Sequence, residues 1–219
     1  MEYLDLFPTV VAKVAIPIEV TTEMRTELQK QHKLRNVGNS ISAVNLLLDA
    51  PVFKELKKAL TLKVRQVFKE VYSPANHNIN IYITQSWSNY TEQGEYHHKH
   101  MHTNSILSGV LYIDVDELDS ISFFRDKDPL LLDIPGLIYT ERNSSSWIFG
   151  NLKPGDLLIF PSGLAHEVPE KLGASTRISI SFNSFITGEV GDTYDRTWLN
   201  LEKNAIQSAS FVEGLDKKV

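Results

Sequence analysis

Tyr96-His97-His98-Lys99-His100-Met101-His102-Thr103-Asn104-Ser105-Ile106-Leu107-Ser108-Gly109-Val110-Leu111-Tyr112 is the stretch that decides how this 219-residue chain is read. Four of the seven histidines lie in it. In an extended segment alternate side chains share a face, so His98, His100 and His102 point one way and His97 and Lys99 the other. Two imidazoles two residues apart on a strand can reach one metal ion without bending the backbone. A solvated polar loop is the plainer alternative. Because the cluster runs straight into the buried-looking strand Ser108 to Tyr112, a metal site is the better account.

Outward from this stretch the pattern is that of short strands. Upstream, Ile79, Ile81 and Ile83 alternate with Asn80, Tyr82 and Thr84, a half-buried strand. Downstream come Ile106 to Ile113, Ser120 to Phe124, Trp147 to Phe149, and Leu157 to Phe160 after the turn Lys153-Pro154-Gly155-Asp156. Arg177 to Phe185 closes the series. Short strands separated by turn signals predict a mainly β sandwich, jelly roll or barrel. The first third differs. Thr21 or Thr22 can cap a short helix reaching about Lys33. Phe53, Leu56, Leu60, Val64, Val67, Phe68 and Val71 recur at helical spacing up to Ser73-Pro74. Val10 to Val20 suits an outer strand. We therefore expect one domain over 1–219: a mostly helical scaffold with an outer strand (1–76), a jelly-roll core (77–187) and a tail or lid (188–219). The segment from Asp126 to Ser146 reads as an insertion that lines or covers a site, and Trp87 as a wall of that site.

A third metal ligand must come from a distant part of the chain. His166 follows the apolar strand Leu157 to Pro161 by the short loop Ser162-Gly163-Leu164-Ala165, which can return it to the mouth of a barrel. Further on, Arg177, Ser179 and Ser181 alternate with Ile178, Ile180 and Phe182. An arginine pointing into a barrel needs an anion, because an unpaired buried charge is very costly. A bound carboxylate with a serine hydroxyl beside it meets that need. An internal pair with Asp or Glu is the alternative.

Composition removes several classes. There is no cysteine, hence no disulfide, zinc-thiolate site, iron–sulfur cluster or thiol nucleophile. The net charge of −5 disfavours binding to long nucleic acid. Met1 to Phe7 lacks a basic start with an apolar run, and no stretch approaches the ~20 apolar residues of a membrane span. The expected location is the cytoplasm.

These residues carry a resemblance. His-x-His, a strand, a distal His and then Arg-x-Ser resemble the 2-oxoglutarate and iron(II)-dependent oxygenase superfamily. The strings Tyr96 to Val110 and Gly155-Asp156-Leu157-Leu158-Ile159-Phe160-Pro161-Ser162 with His166 are similar to uncharacterised oxygenases of cyanobacterial phages, which would place the protein in a host cell. The likeness spans about residues 80–187. It implies a double-stranded β-helix, cupin-like, with His100, His102 and His166 on Fe(II). It also implies 2-oxoglutarate as cosubstrate, O2 as oxidant, and a place for ascorbate. Arg177 matches the clamp of the distal carboxylate of 2-oxoglutarate, with Ser179 as its partner. Tyr112 and Tyr90 match cosubstrate-side tyrosines of prolyl-hydroxylase-like members. Asn104 is placed at the proximal carboxylate or the water shell of the metal. The implied reaction is hydroxylation of a C–H bond in a protein side chain, proline included, or in a small molecule. At His102 the superfamily usually has Asp or Glu, which leaves this site one negative charge poorer. His98 can replace His100 or His102 if the register differs. Two further readings remain open: a three-histidine dioxygenase that binds its substrate directly, and a metal- or ligand-binding barrel without activity.

Overall fold

The alternation that begins at Ile79 becomes the long strand β4 (Asn80–Thr91), which lies near the middle of the larger of two antiparallel sheets. A computed structural model describes residues 1–201 apart from 3, 17 and 126–137. Within them the order is β1 (Ala12–Ala15), α1 (Thr22–Lys30), β2 (Lys33–Arg35), β3 (Ser40–Ser42), two short 3-10 turns, α2 (Lys54–Tyr72) and β4. Then follow β5 (His97–His100), β6 (Leu107–Asp114), β7 (Ile121–Phe124), β8 (Ser146–Phe149), β9 (Asp156–Pro161), β10 (His166–Val168), β11 (Arg177–Val190) and β12 (Leu199–Leu201). The larger sheet runs β1-β9-β6-β11-β4-β3-β2, with β12 on β11; the smaller runs β5-β10-β7-β8. This is the expected mainly β jelly roll.

The apolar stripe of α2 forms because its residues recur at three and four, and it ends where Ser73 adopts φ +42° before Pro74, which cannot continue a helix. Leu56, Leu60 and Val64 of that stripe are fully buried against Ile81, Leu111, Leu157, Ile159, Ile180 and Phe182 on the outer face of the larger sheet. Each such side chain contributes about 2 kcal/mol through burial. The inner face carries Val110, Tyr112, Leu158 and Phe160, which meet Ile121 and Phe123 of the smaller sheet. Helices thus seal one face and leave the other to enclose a site. Thr21 caps α1, accepting from the Met24 amide. The N-terminal third also holds a feature that periodicity did not signal, the β2–β3 hairpin. Its strands are three residues each, and all three residues of β2 are exposed, so no apolar alternation marks them.

Two of the three register shifts among the described strands decide which residues face the site. Asn183 pairs with Gln85 and Ser184 with Ile83, so Thr84 is an extra residue in β4. Ile81 and Ile83 face the helices before it, and Ser86, Ser88 and Tyr90 face them after it. In the smaller sheet His166 pairs with His100 and Val168 with His97, so His98 and Lys99 oppose Glu167 alone. Most of the segment 126–146 and the tail beyond 201 lie outside the described residues. No helix among the described residues is long and apolar enough to cross a membrane.

Gly109 in β6 admits Phe182 against its backbone; a Cβ there would stand 2.2 Å from the ring. We expect Gly109→Ala to cost about 2 kcal/mol, lowering the thermal midpoint by about 5 °C in a melting experiment.

Candidate active site

His100, His102 and His166 meet at the open end of the space between the sheets, their ligand atoms all within 4.8 Å of one another. His100 ends β5 and His166 begins β10, paired directly across the small sheet. His102 lies just past the end of β5, tied down by its backbone N–H to the Ser162 carbonyl at 2.9 Å.

The hydrogen bonds settle which ring nitrogen is free. His100 Nδ1–H donates to the His98 carbonyl at 2.7 Å, and His166 Nδ1–H to the Leu164 carbonyl at 2.9 Å. His102 Nδ1–H donates to Asn183 Oδ1 at 2.6 Å. A carbonyl oxygen only accepts, so in each ring Nδ1 carries the proton and Nε2 presents a lone pair. His100 Nε2 and His102 Nε2 stand 3.1 Å apart. Two lone pairs facing each other at that distance repel, and a cation between them removes the conflict. Ligands at right angles on a metal with bonds of ~2.1 Å are ~3 Å apart, which this pair matches. Burial holds all three imidazoles below their ordinary range, His166 down to about 3, so they are neutral donors at pH 7.

The larger sheet adds Trp87, Asn89, Tyr112, Phe160, Arg177, Ser179 and Ser181 to the cavity wall, and the smaller sheet adds Ile121 and Val168. Arg177 is buried, 4% exposed, and donates from Nη2 to Thr91 Oγ1 at 3.1 Å. An internal carboxylate is present, but Asp119 is 3.8 Å from Nη1 and is shared with the buried ammonium of Lys171 at 3.3 Å. Burial lowers the Arg177 pKa, while Tyr112 and Asp119 oppose that; burial also pushes the Tyr112 phenol up. Ser179 accepts from Asn89 Nδ2 at 3.4 Å.

Three expectations need correction. Tyr90 does not face the cavity. The bulge at Thr84 turns it to the helix side, where its hydroxyl donates to the Leu28 carbonyl and lies 2.9 Å from Ser88 Oγ. Asn104 is exposed in a turn at φ +54°, away from the cavity lining, because the chain must reverse between His102 and β6. His98 does not share a face with His100 and His102. The β5 bulge brings His97 to the cavity instead, its ring 4.4 Å from that of His100, while His98 lends its carbonyl. His98 is thus no substitute ligand in this register. Asn183 is the residue that sequence reasoning passed over. It continues the polar face Arg177, Ser179, Ser181, and that alternation was the signal that could have found it.

Comparison with known proteins fits this geometry. Residues 85–183 match the model of the family described as "Putative 2OG-Fe(II) oxygenase". Over that span, 99 of the 219 residues, the chain is similar to the 2-oxoglutarate/Fe(II)-dependent oxygenases. Solved structures of such oxygenases share its double-stranded β-helix. HygX from Streptomyces hygroscopicus, with nickel, 2-oxoglutarate and hygromycin B bound, aligns at TM-score 0.54 and 13% identity over 80% of this chain and 82% of its own. The epimerase SnoN, in complex with Fe3+, alpha ketoglutarate and nogalamycin RO, aligns at 0.58 and 11% over 81% and 79%. A Pseudomonas putida prolyl-4-hydroxylase aligns at 0.51 and 14% over 80% and 92%. No curated protein sequence matches this one. On this family match the chain is an oxidoreductase that uses Fe(II), 2-oxoglutarate and O2, and its three-imidazole cluster suits a borderline cation such as Fe(II).

Asn183 offers a direct check of the geometry. Asn183→Leu removes the acceptor that orients His102, and we expect Co(II) affinity, read by titration in the absence of oxygen, to fall at least about tenfold. Asn183→Asp keeps the acceptor and adds charge, so its affinity should match or exceed that of the wild type.

Proposed function

We propose that this oxygenase is a hydroxylase that inserts oxygen into a C–H bond, with His100, His102 and His166 holding the iron through Nε2. The observation that carries this reading is the 3.1 Å approach of two Nε2 lone pairs, each fixed by an anchored Nδ1–H, in the cavity that also holds Arg177. We assign Arg177 to the distal carboxylate of 2-oxoglutarate, with Ser179 and Tyr112 beside it. Iron and 2-oxoglutarate, once bound, supply the oxidising chemistry, with O2 consumed and succinate and CO2 released. The chain supplies binding, orientation and exclusion of water.

The all-imidazole set has a consequence for binding. Three neutral ligands leave the full charge of Fe(II) uncompensated, so the dianionic cosubstrate contributes the anion that a ligating carboxylate would otherwise provide. Binding of 2-oxoglutarate is therefore expected to depend strongly on the metal. A peptidyl substrate, proline foremost, is the first class to test, supported by the likeness of Arg177 and Tyr112 to prolyl-hydroxylase-like enzymes.

Under anaerobic conditions the Fe(II)-loaded protein should develop a visible charge-transfer band on addition of 2-oxoglutarate, and in air it should form succinate. Arg177→Ala removes a charge-assisted contact and should weaken 2-oxoglutarate at least about tenfold. With a true substrate each succinate formed accompanies one oxygen atom added. Bound iron with neither band nor succinate would remove 2-oxoglutarate from the account.

A further inference from the structure

Asn39 lies outside the span matched by the oxygenase family, yet it lines the same cavity. It is fully buried at 0% exposure, and among the described residues its Nδ2 has no hydrogen-bond partner. A buried amide donor left unpaired is costly and rare, so its persistence points to a ligand acceptor.

The hairpin that carries it is held rigidly. Asn36 N–H donates to the Asn39 carbonyl at 2.8 Å, closing a turn whose Gly38 sits at φ +88°. A Cβ at Gly38 would strike the Tyr96 carbonyl at 2.5 Å, and the Tyr96 amide donates to the Gly38 carbonyl at 3.1 Å. The turn is thereby stitched to the residue just before the histidine strand. The amide of Asn39 is oriented as well. Its Oδ1 accepts from Asn36 Nδ2 at 3.2 Å, and that same nitrogen lies 3.3 Å from His97 Nε2. With Oδ1 engaged, Nδ2 is the end left for the cavity.

Sheet register says which end of the cavity it serves. Ser40 pairs with Tyr90 and Ile41 with Asn89, so one step back sets Asn39 beside Thr91. Thr91 pairs with Arg177 and accepts from its Nη2. Asn39, at the entrance to β3, therefore lies in line with Thr91 of β4 and Arg177 of β11, at the arginine end. From this we infer that Asn39 is a second donor to the carboxylate held by Arg177, so that the N-terminal hairpin completes the anion subsite. This rests on the assignment of Arg177 to the distal carboxylate of 2-oxoglutarate.

The test uses the full chain loaded with Co(II) or Fe(II) under anaerobic conditions and two probes. One is 2-oxoglutarate. The other is 2-oxovalerate, which keeps the 2-oxo acid head and has a methyl group in place of the distal carboxylate. Asn39→Leu should raise the Kd for 2-oxoglutarate at least about tenfold while leaving the Kd for 2-oxovalerate and the metal affinity unchanged. Asn39→Asp, nearly isosteric, should weaken 2-oxoglutarate further by setting like charges together; it carries the test if the leucine variant fails to fold in a thermal melt. Unchanged 2-oxoglutarate affinity overturns the inference, as does equal loss of both acids. If Arg177→Ala loses 2-oxoglutarate and the Asn39 variants do not, only this inference falls. A metal-loaded wild type that binds no 2-oxoglutarate removes the cosubstrate reading itself and this inference with it.

Discussion

Three imidazole rings aimed at one point are stable only if something fixes each ring, and here that something is an acceptor on every Nδ1. Two of the acceptors are backbone carbonyls two residues upstream, at His98 and Leu164, so the local turn that presents His100 or His166 also orients it. The third is a side chain, Asn183, on the long strand β11. That difference explains the buried polar network around it. Ser108 Oγ–H donates to Asn183 Oδ1, and Ser108, Ser162 and Ser105 are linked through their hydroxyls. Strands β6 and β11 and the turn after β9 are thereby joined behind His102. The chain spends buried hydroxyls where the other two histidines need only a turn.

Charge follows from the same constraint. A neutral ligand set makes the metal the source of two uncompensated positive charges, and Arg177 adds another in the same cavity. Behind Arg177, Asp119 and Asp116 surround the fully buried Lys171, so that most of the charge of the two carboxylates is spent on Lys171 and Asp119 stands 3.8 Å from Arg177. The proposed subsite suits a dianion: Asn39 and Arg177 line the cavity, and Thr91 between them accepts from Arg177 Nη2.

What could be read from the sequence was set by locality. The switch from helical to alternating periodicity at about residue 79 and the α2 stripe are local patterns that reappear in the fold, and the residues singled out by spacing, His100, His102, His166 and Arg177, line one cavity. The failures share one cause. A bulge adds one residue and inverts every later face, which is invisible to a period-two rule; one at Thr84 turns Tyr90 outward, and one in β5 exchanges His98 for His97. Asn104 looked polar and well placed, but its left-handed backbone marks it as a turn residue. Asn39 left no signal, because its importance arises only when a three-residue strand pairs with β4.

The central claim is that His100, His102 and His166 bind iron through Nε2. An anaerobic crystal structure of the Fe(II) and 2-oxoglutarate complex tests it most directly. The account predicts all three Nε2 atoms on the iron, each Nδ1 still bonded to His98, Asn183 or Leu164, and Arg177 against the distal carboxylate. Iron bound through an Nδ1 atom, or with His97 or His98 in place of one of the three, would contradict it.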